Sequence, residues 1–303
     1  MLLLLVTTWN TGSIPTSSTN PRVWPKRRPP TPQAYFILQY TDMTMTNWPD
    51  HYWPYTLIVC SQDFQNSDVL MSKIGGGREP VSKSLCYFNA QDIDVAGTFS
   101  TAFWDTLEAM FDSTWCIMDL DADTCVRMDS PRTHPAWIPF QESADSLIAF
   151  ASRLPFNLYG GDDWDGAYLD NCAADVPAWR IALLPTHFDC DGDGLPNTVQ
   201  EMQDQWDTYR PYLTAGLRGV VGDRILVGNS AGALVDPSLS GITIEGVGHT
   251  KSYADSKAAF EAQKAVAHLP FVGVAWVTQV STDADSCLLM TREVPGVYYG
   301  VVE

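Results

Sequence analysis

The stretch WDGAYLDN, residues 164–171, decides how the rest of the chain is read. Side chains alternate across a strand, so Gly166, Tyr168 and Asp170 share one face and Ala167 and Leu169 share the other. One face is aliphatic and suits packing against helices. The other is small and polar and ends in a carboxylate. GITIEG, residues 241–246, repeats the plan, with Gly241, Thr243 and Glu245 on one face and Ile242 and Ile244 on the other. A strand that packs one face on helices and carries an acid at the C-terminal end of the other suits the wall of a barrel.

Six further strand-length runs surround these two: residues 35–42, 56–63, 84–92, 224–230, 271–278 and 297–302. Each is rich in β-branched or aromatic residues. Helical periodicity lies between several of them. Residues 99–111 place Phe99, Phe103, Leu107 and Met110 on one face, 198–213 do so with Val199, Met202, Trp206, Tyr209 and Leu213, and 252–269 are Ala-rich. Strands interleaved with helices predict parallel βαβ units, and eight is the number that closes a barrel. The expected fold is therefore an α/β (β/α)8 TIM barrel over residues 34–303, with a β-hairpin insert before the fourth strand and an Asp-rich loop after it. A doubly wound open sheet is the competitor. No GxGxxG or GxxxxGK[ST] follows any of the runs, which weakens nucleotide-binding readings.

Polar residues recur at the C-terminal ends of the runs: Asp42, Asp63, Asn89, Gln91, Asp170, Asn171, Asn229 and Glu245. In a barrel that end builds the active site. Any one of them is explained as the polar start of a loop. Eight together predict a polar, acid-lined mouth. If Asp170 and Glu245 close the fourth and sixth strands, their carboxylates converge across it. Two carboxylates flanking a bond are what glycoside hydrolysis requires, one giving a proton and the other attacking or activating water. The alternative is that Glu245 faces solvent and Asp170 caps the next segment.

The formal charge is −18, from 18 Lys+Arg against 36 Asp+Glu. Residues 1–33 hold Arg22, Lys26, Arg27 and Arg28 and no acid, so the remainder carries a net −22. Such a body repels nucleic-acid phosphates and anionic lipid and favours neutral or cationic partners. No stretch is long enough to span a bilayer. The first 33 residues read as a disordered or extended Pro-rich segment. MLLLLV at residues 1–6 is shorter than a usual signal core, but a remnant of one would make the protein secreted or surface-bound.

Taken in order, WDGAYLDN, the Asp-rich segment 189–197, RILVGNS (224–230) and LSGITIEGVG (239–248) resemble a glycoside hydrolase lineage of TIM barrels akin to the endo-α-1,4-polygalactosaminidase-like proteins. CYFNAQDI (86–93) resembles that family's third-strand region, and WCIMDLDADTCVRM (115–128) its hairpin before the fourth strand. The resemblance spans roughly residues 80–300. It implies that Asp170 and Glu245 are the catalytic carboxylates, that Asn229 contacts substrate, and that configuration is retained. Thr124 stands where the family's hairpin has glycine, and the first third of the chain matches little.

Asn171, Asn89, Asp42 and Tyr40 join Asn229 as candidate substrate contacts, and Trp276, near a strand end, is the best candidate sugar platform. Trp206 reads as core. GNSAG, residues 228–232, has the spacing of a nucleophile elbow around Ser230, a minor rival that needs a strand–turn–helix and triad partners such as His249 or His268. No histidine spacing supports a metal site. Among the seven cysteines no CxxC occurs; Cys116 with Cys125, or Cys172 with Cys190, are the candidate disulfides.

DCDGDGLPN, residues 189–197, resembles the first half of an EF-hand loop. Asp189, Asp191 and Asp193 occupy positions 1, 3 and 5, Gly194 position 6 and Asn197 position 9, but position 12 is Gln200 and Glu201 comes one residue late. Asp189, Asp191, Asp193 and Asn197 are therefore candidate calcium ligands. The competing reading is a tight acidic turn that caps the next helix. The expected function is a glycoside hydrolase with a carbohydrate substrate, no cofactor required for catalysis and at most a structural calcium ion. The alternative is a non-catalytic carbohydrate-binding or calcium-dependent surface protein on the same scaffold.

Overall fold

A computed structural model of the chain describes residues 35–39, 56–60, 83–90, 116–126, 144–145, 148–149, 152, 165–229, 234–248, 250–277 and 284–301. All eight runs read as strands contain strands: β1 (Tyr35–Gln39), β2 (Thr56–Cys60), β3 (Lys83–Asn89), β6 (Gly166–Asp170), β8 (Ile225–Asn229), β9 (Gly241–Glu245), β10 (Gly273–Val277) and β11 (Val297–Val301). They pair in parallel in the order β1-β11-β10-β9-β8-β6-β3-β2, and β1 bonds both β2 and β11. Asp170, Asn229 and Glu245 are the last residues of the fourth, fifth and sixth strands of this series.

Strand alternation sorts the side chains as the pattern predicts. Ala167, Leu169, Leu226, Ile242, Ile244 and Ala275 belong to one buried cluster with helix residues such as Met202, Trp206, Leu217 and Phe260. These come from α2 (Val199–Val221) and α3 (Tyr253–Val266); the short α1 (Ala178–Ile181) precedes them and α4 (Ala284–Glu293) follows. The alternate positions Tyr168, Val227, Thr243 and Val274 are each 0% exposed. Gly241 is required by close approach: a Cβ there would run into the Val272 carbonyl. Gly241→Ala is expected to lower stability by about 3 kcal/mol or more, since only a backbone shift relieves the overlap. The midpoint of denaturant unfolding measures it.

The helix expected over 198–213 runs on to Val221 because Leu213, Leu217 and Val221 continue its buried stripe. It starts with a capping box, in which the Thr198 hydroxyl accepts from Glu201 N–H and the Glu201 carboxylate accepts from Thr198 N–H. Trp206, read as core, is 0% exposed, and its indole N–H donates to Ala173 O at 2.8 Å. The helix expected over 99–111 lies outside the described residues.

β4 (Met118–Asp119) and β5 (Thr124–Cys125) form a hairpin, and β7 (Phe188–Asp189), from the Asp-rich segment, adds to it antiparallel. Cys116 and Cys125 close the hairpin by a disulfide with a Cα–Cα distance of 5.6 Å. Cys172 and Cys190 are not joined to each other; both are buried thiols, and burial pushes each up to about 12.

Candidate active site at the ends of the fourth to sixth strands

The pairing β6-β8-β9 puts the fifth strand between the two acids and sets Asn229 between them. Its Nδ2 donates to Asp170 Oδ1 at 2.7 Å and to Glu245 Oε1 at 2.8 Å. A single amide nitrogen thus bonds both carboxylates, so those two oxygens are no more than 5.5 Å apart. Asp170 is 8% exposed and Asn229 7%. The resemblance implies that Asn229 is a substrate contact; its position makes it first a clamp on the two acids.

Burial drives the Glu245 carboxyl up to about 7; the Asn229 bond opposes this, and the negative charge of Asp170 reinforces it. A proton donor next to a second carboxylate is what these groups can form near neutral pH.

The turn after β6 holds this geometry. Asn171 takes φ 54°, a left-handed conformation that asparagine tolerates. Its N–H donates to Asp170 Oδ1 at 2.8 Å. The next N–H, of Cys172, donates to Asn229 O at 2.9 Å, and Ala90 N–H donates to Asp170 O at 2.9 Å. The ends of the third, fourth and fifth strands are therefore stitched together around the acid.

The other expected contacts divide. Asn89 pairs in register with Asp170, but its side chain lies outside the described residues, as do Asp42, Tyr40, Ser230 and His249. Trp276 pairs in register with Glu245 and is 3% exposed, so it stands as a wall beside the acid with almost no ring surface open to stack on a sugar. His268 approaches Asp223 at 3.3 Å, at the N-terminal side of β8 and away from the Asn229 end.

In the Asp-rich loop, Asp189, Asp191 and Asp193 each bring a carboxylate oxygen within 4.8 Å of the others. Asp189 is 4% exposed and accepts from the N–H groups of Asp191, Gly192 and Gly194. Burial raises its carboxyl, but these backbone bonds outweigh that and hold it below the usual range. Asn197 Oδ1 accepts from Cys190 N–H at 2.6 Å and its Nδ2 reaches Asp191 at 3.3 Å. Glu201, the late acid, is committed to the capping box. The backbone thus satisfies much of the loop's acceptor capacity, as an acidic turn requires, and Asp191 and Asp193 are left exposed.

Among the described residues no helix is long and apolar enough to cross a membrane. No protein-family model matches the sequence, and no curated protein matches it. Among solved structures one match is the cycloalternan-degrading enzyme from Trueperella pyogenes, at 9% identity and a TM-score of 0.46. The match covers 82% of this chain and 38% of that one, so the chain spans well under half the length of this distant, carbohydrate-degrading neighbour.

Proposed function

We propose that the chain is a glycoside hydrolase on a (β/α)8 barrel, with Glu245 as proton donor and Asp170 as nucleophile. The observation that carries this reading is the Asn229 amide, which bonds both carboxylates at 2.7 and 2.8 Å. Glu245, near 7, keeps a proton to give in mildly acidic solution. A ceiling of 5.5 Å between the bonded oxygens favours retention, for which the carboxyl groups stand about 5–5.5 Å apart. In this mechanism Glu245 protonates the glycosidic oxygen as its bond to the anomeric carbon breaks. An Asp170 oxygen attacks that carbon and forms a glycosyl ester. Glu245, now a carboxylate, takes a proton from water as the water cleaves the ester, and both acids return to their starting forms.

A screen of amino-sugar and neutral glycans for new reducing ends tests the proposal. Release of product with the α or β configuration of the starting bond is the expected result. Sugar bound without cleavage would instead assign the non-catalytic carbohydrate-binding role.

The Asp-rich loop fits a weak structural calcium site better than a tight one, since it lacks a bidentate acid at position 12. We expect calcium to raise the melting temperature only at about 10⁻⁴–10⁻³ M, and the rise to vanish in Asp191→Ala. An unchanged melting temperature at 10 mM calcium (roughly ten times the weaker limit) would leave the loop as a self-capped turn.

A further inference from the structure

Leu213, Leu217 and Val221 of α2 are buried and purely apolar. The earlier turns of the same helix bury Trp206 and Tyr209, whose ring centroids are 5.6 Å apart. Each of these rings carries a donor, and each donor leaves the helix for the backbone of a segment that follows a barrel strand. The Trp206 indole N–H donates to Ala173 O at 2.8 Å, in the connection after Asp170. The Tyr209 hydroxyl donates to Ala90 O at 3.3 Å, and Ala90 N–H in turn donates to Asp170 O at 2.9 Å. One turn earlier on α2, Gln203 Oε1 accepts from Val176 N–H at 2.9 Å. Phenylalanine would fill position 209 with no buried hydroxyl to satisfy, so packing alone does not account for the tyrosine.

The turn that carries Asp170 is therefore held from two sides. Along the barrel, Asn171 N–H bonds Asp170 Oδ1 and Cys172 N–H bonds Asn229 O. From α2 come the bonds to Ala90, which holds the Asp170 carbonyl, and to Ala173, which follows Cys172. The same helix fastens the connection after the fifth strand: the Thr214 hydroxyl donates to Asp236 Oδ2 at 2.7 Å, and Arg210 Nη1 meets that oxygen at 3.3 Å. The segments that follow three neighbouring strands, β3, β6 and β8, thus hang on one helix. We propose that Trp206 and Tyr209 are positioning residues: their bonds fasten the end of the third strand and the turn after the fourth to α2, and so hold Asp170 at its working distance from Asn229 and Glu245. This rests on the reading of Asp170 and Glu245 as the catalytic pair. Burial keeps the Tyr209 phenol well above its ordinary value, so it keeps its proton and remains a donor wherever the acids work.

The test uses the whole chain with Tyr209→Phe and Trp206→Phe, which keep an aromatic ring and remove the donor, and with Val221→Ala as control. Val221 is buried on the same helix with an apolar side chain, so truncating it weakens packing alone. The Glu245 carboxyl is titrated by isotope-edited NMR, which needs no substrate. Its midpoint responds to the Asn229 bond and to the charge of Asp170. It is expected to move by about half a pH unit or more in the two donor variants and to stay in place in Val221→Ala. On a glycan found by the screen, kcat of the donor variants is expected to fall about tenfold with KM within twofold, the pattern of a misplaced catalytic group. Should Trp206→Phe fail to fold, Tyr209→Phe, which loses a single oxygen, decides alone. An unmoved midpoint in the folded donor variants, or an equal movement in Val221→Ala, overturns the positioning role, even if Asp170→Asn abolishes cleavage. If the screen finds no cleaved glycan, the catalytic reading fails by itself, and the titration still decides whether α2 sets where Asp170 stands.

Discussion

Asp170→Asn and Glu245→Gln are each expected to cut glycan hydrolysis by about 10²–10⁴-fold while leaving the chain folded. Both changes are nearly isosteric. The new amide oxygens can still accept from Asn229 Nδ2, and at position 170 also from Asn171 N–H, so the network survives. The chemistry does not: an asparagine at position 170 has no anionic oxygen to attack the anomeric carbon, and a glutamine at position 245 has no acidic proton. The variants should also differ from each other. An aryl glycoside with an acidic phenol leaving group needs little protonation, so Glu245→Gln is expected to keep its first step with such a substrate, while Asp170→Asn loses it. Full activity in either variant would sink the assignment of the pair.

Glu245→Gln is also expected to stabilise the protein at pH 8 far more than at pH 5. The carboxyl sits near 7 in the folded chain against an ordinary value of 4.5. Below 4.5 it is protonated in both folded and unfolded states and the pH has no hold on it. Between 4.5 and 7 folding takes up a proton, so wild-type stability falls as pH rises, and above 7 the fold carries a partly buried anion. The amide that replaces it is neutral throughout. The difference between the two pH values is bounded at about 3 kcal/mol by the size of the shift, and solvent reaching the partly buried carboxyl lowers it. Denaturant unfolding of both proteins at pH 5 and pH 8 measures it. The same group sets the alkaline limb of activity: a proton donor near 7 predicts a fall of about tenfold per pH unit above that point. An equal stability difference at both pH values would show that Glu245 is not held protonated.

Much of the site is legible in the residues. GAYLD and GITIE declare their inward faces through alternation alone, and Asp170 and Glu245 stand where those faces end. Asn229 is visible as a polar strand end, but nothing in ILVGN shows that its nitrogen bonds both acids. The half EF-hand is plain as spacing. The use of Glu201 as a cap and of Asp189 as an acceptor for three backbone amides is not, because a loop's hydrogen bonds follow its backbone path.

Local periodicity settled which residues form strands and which face each side chain takes, since a strand's repeat of two is a property of the chain itself. It also placed a carboxylate at the end of two strands 75 residues apart. Only the parallel pairing of β6, β8 and β9 brought those carboxylates to one nitrogen. That pairing also made the burial which drives Glu245 to about 7. Distance and desolvation between residues so far apart in sequence depend on strand register and packing, and these exist only once the strands have assembled.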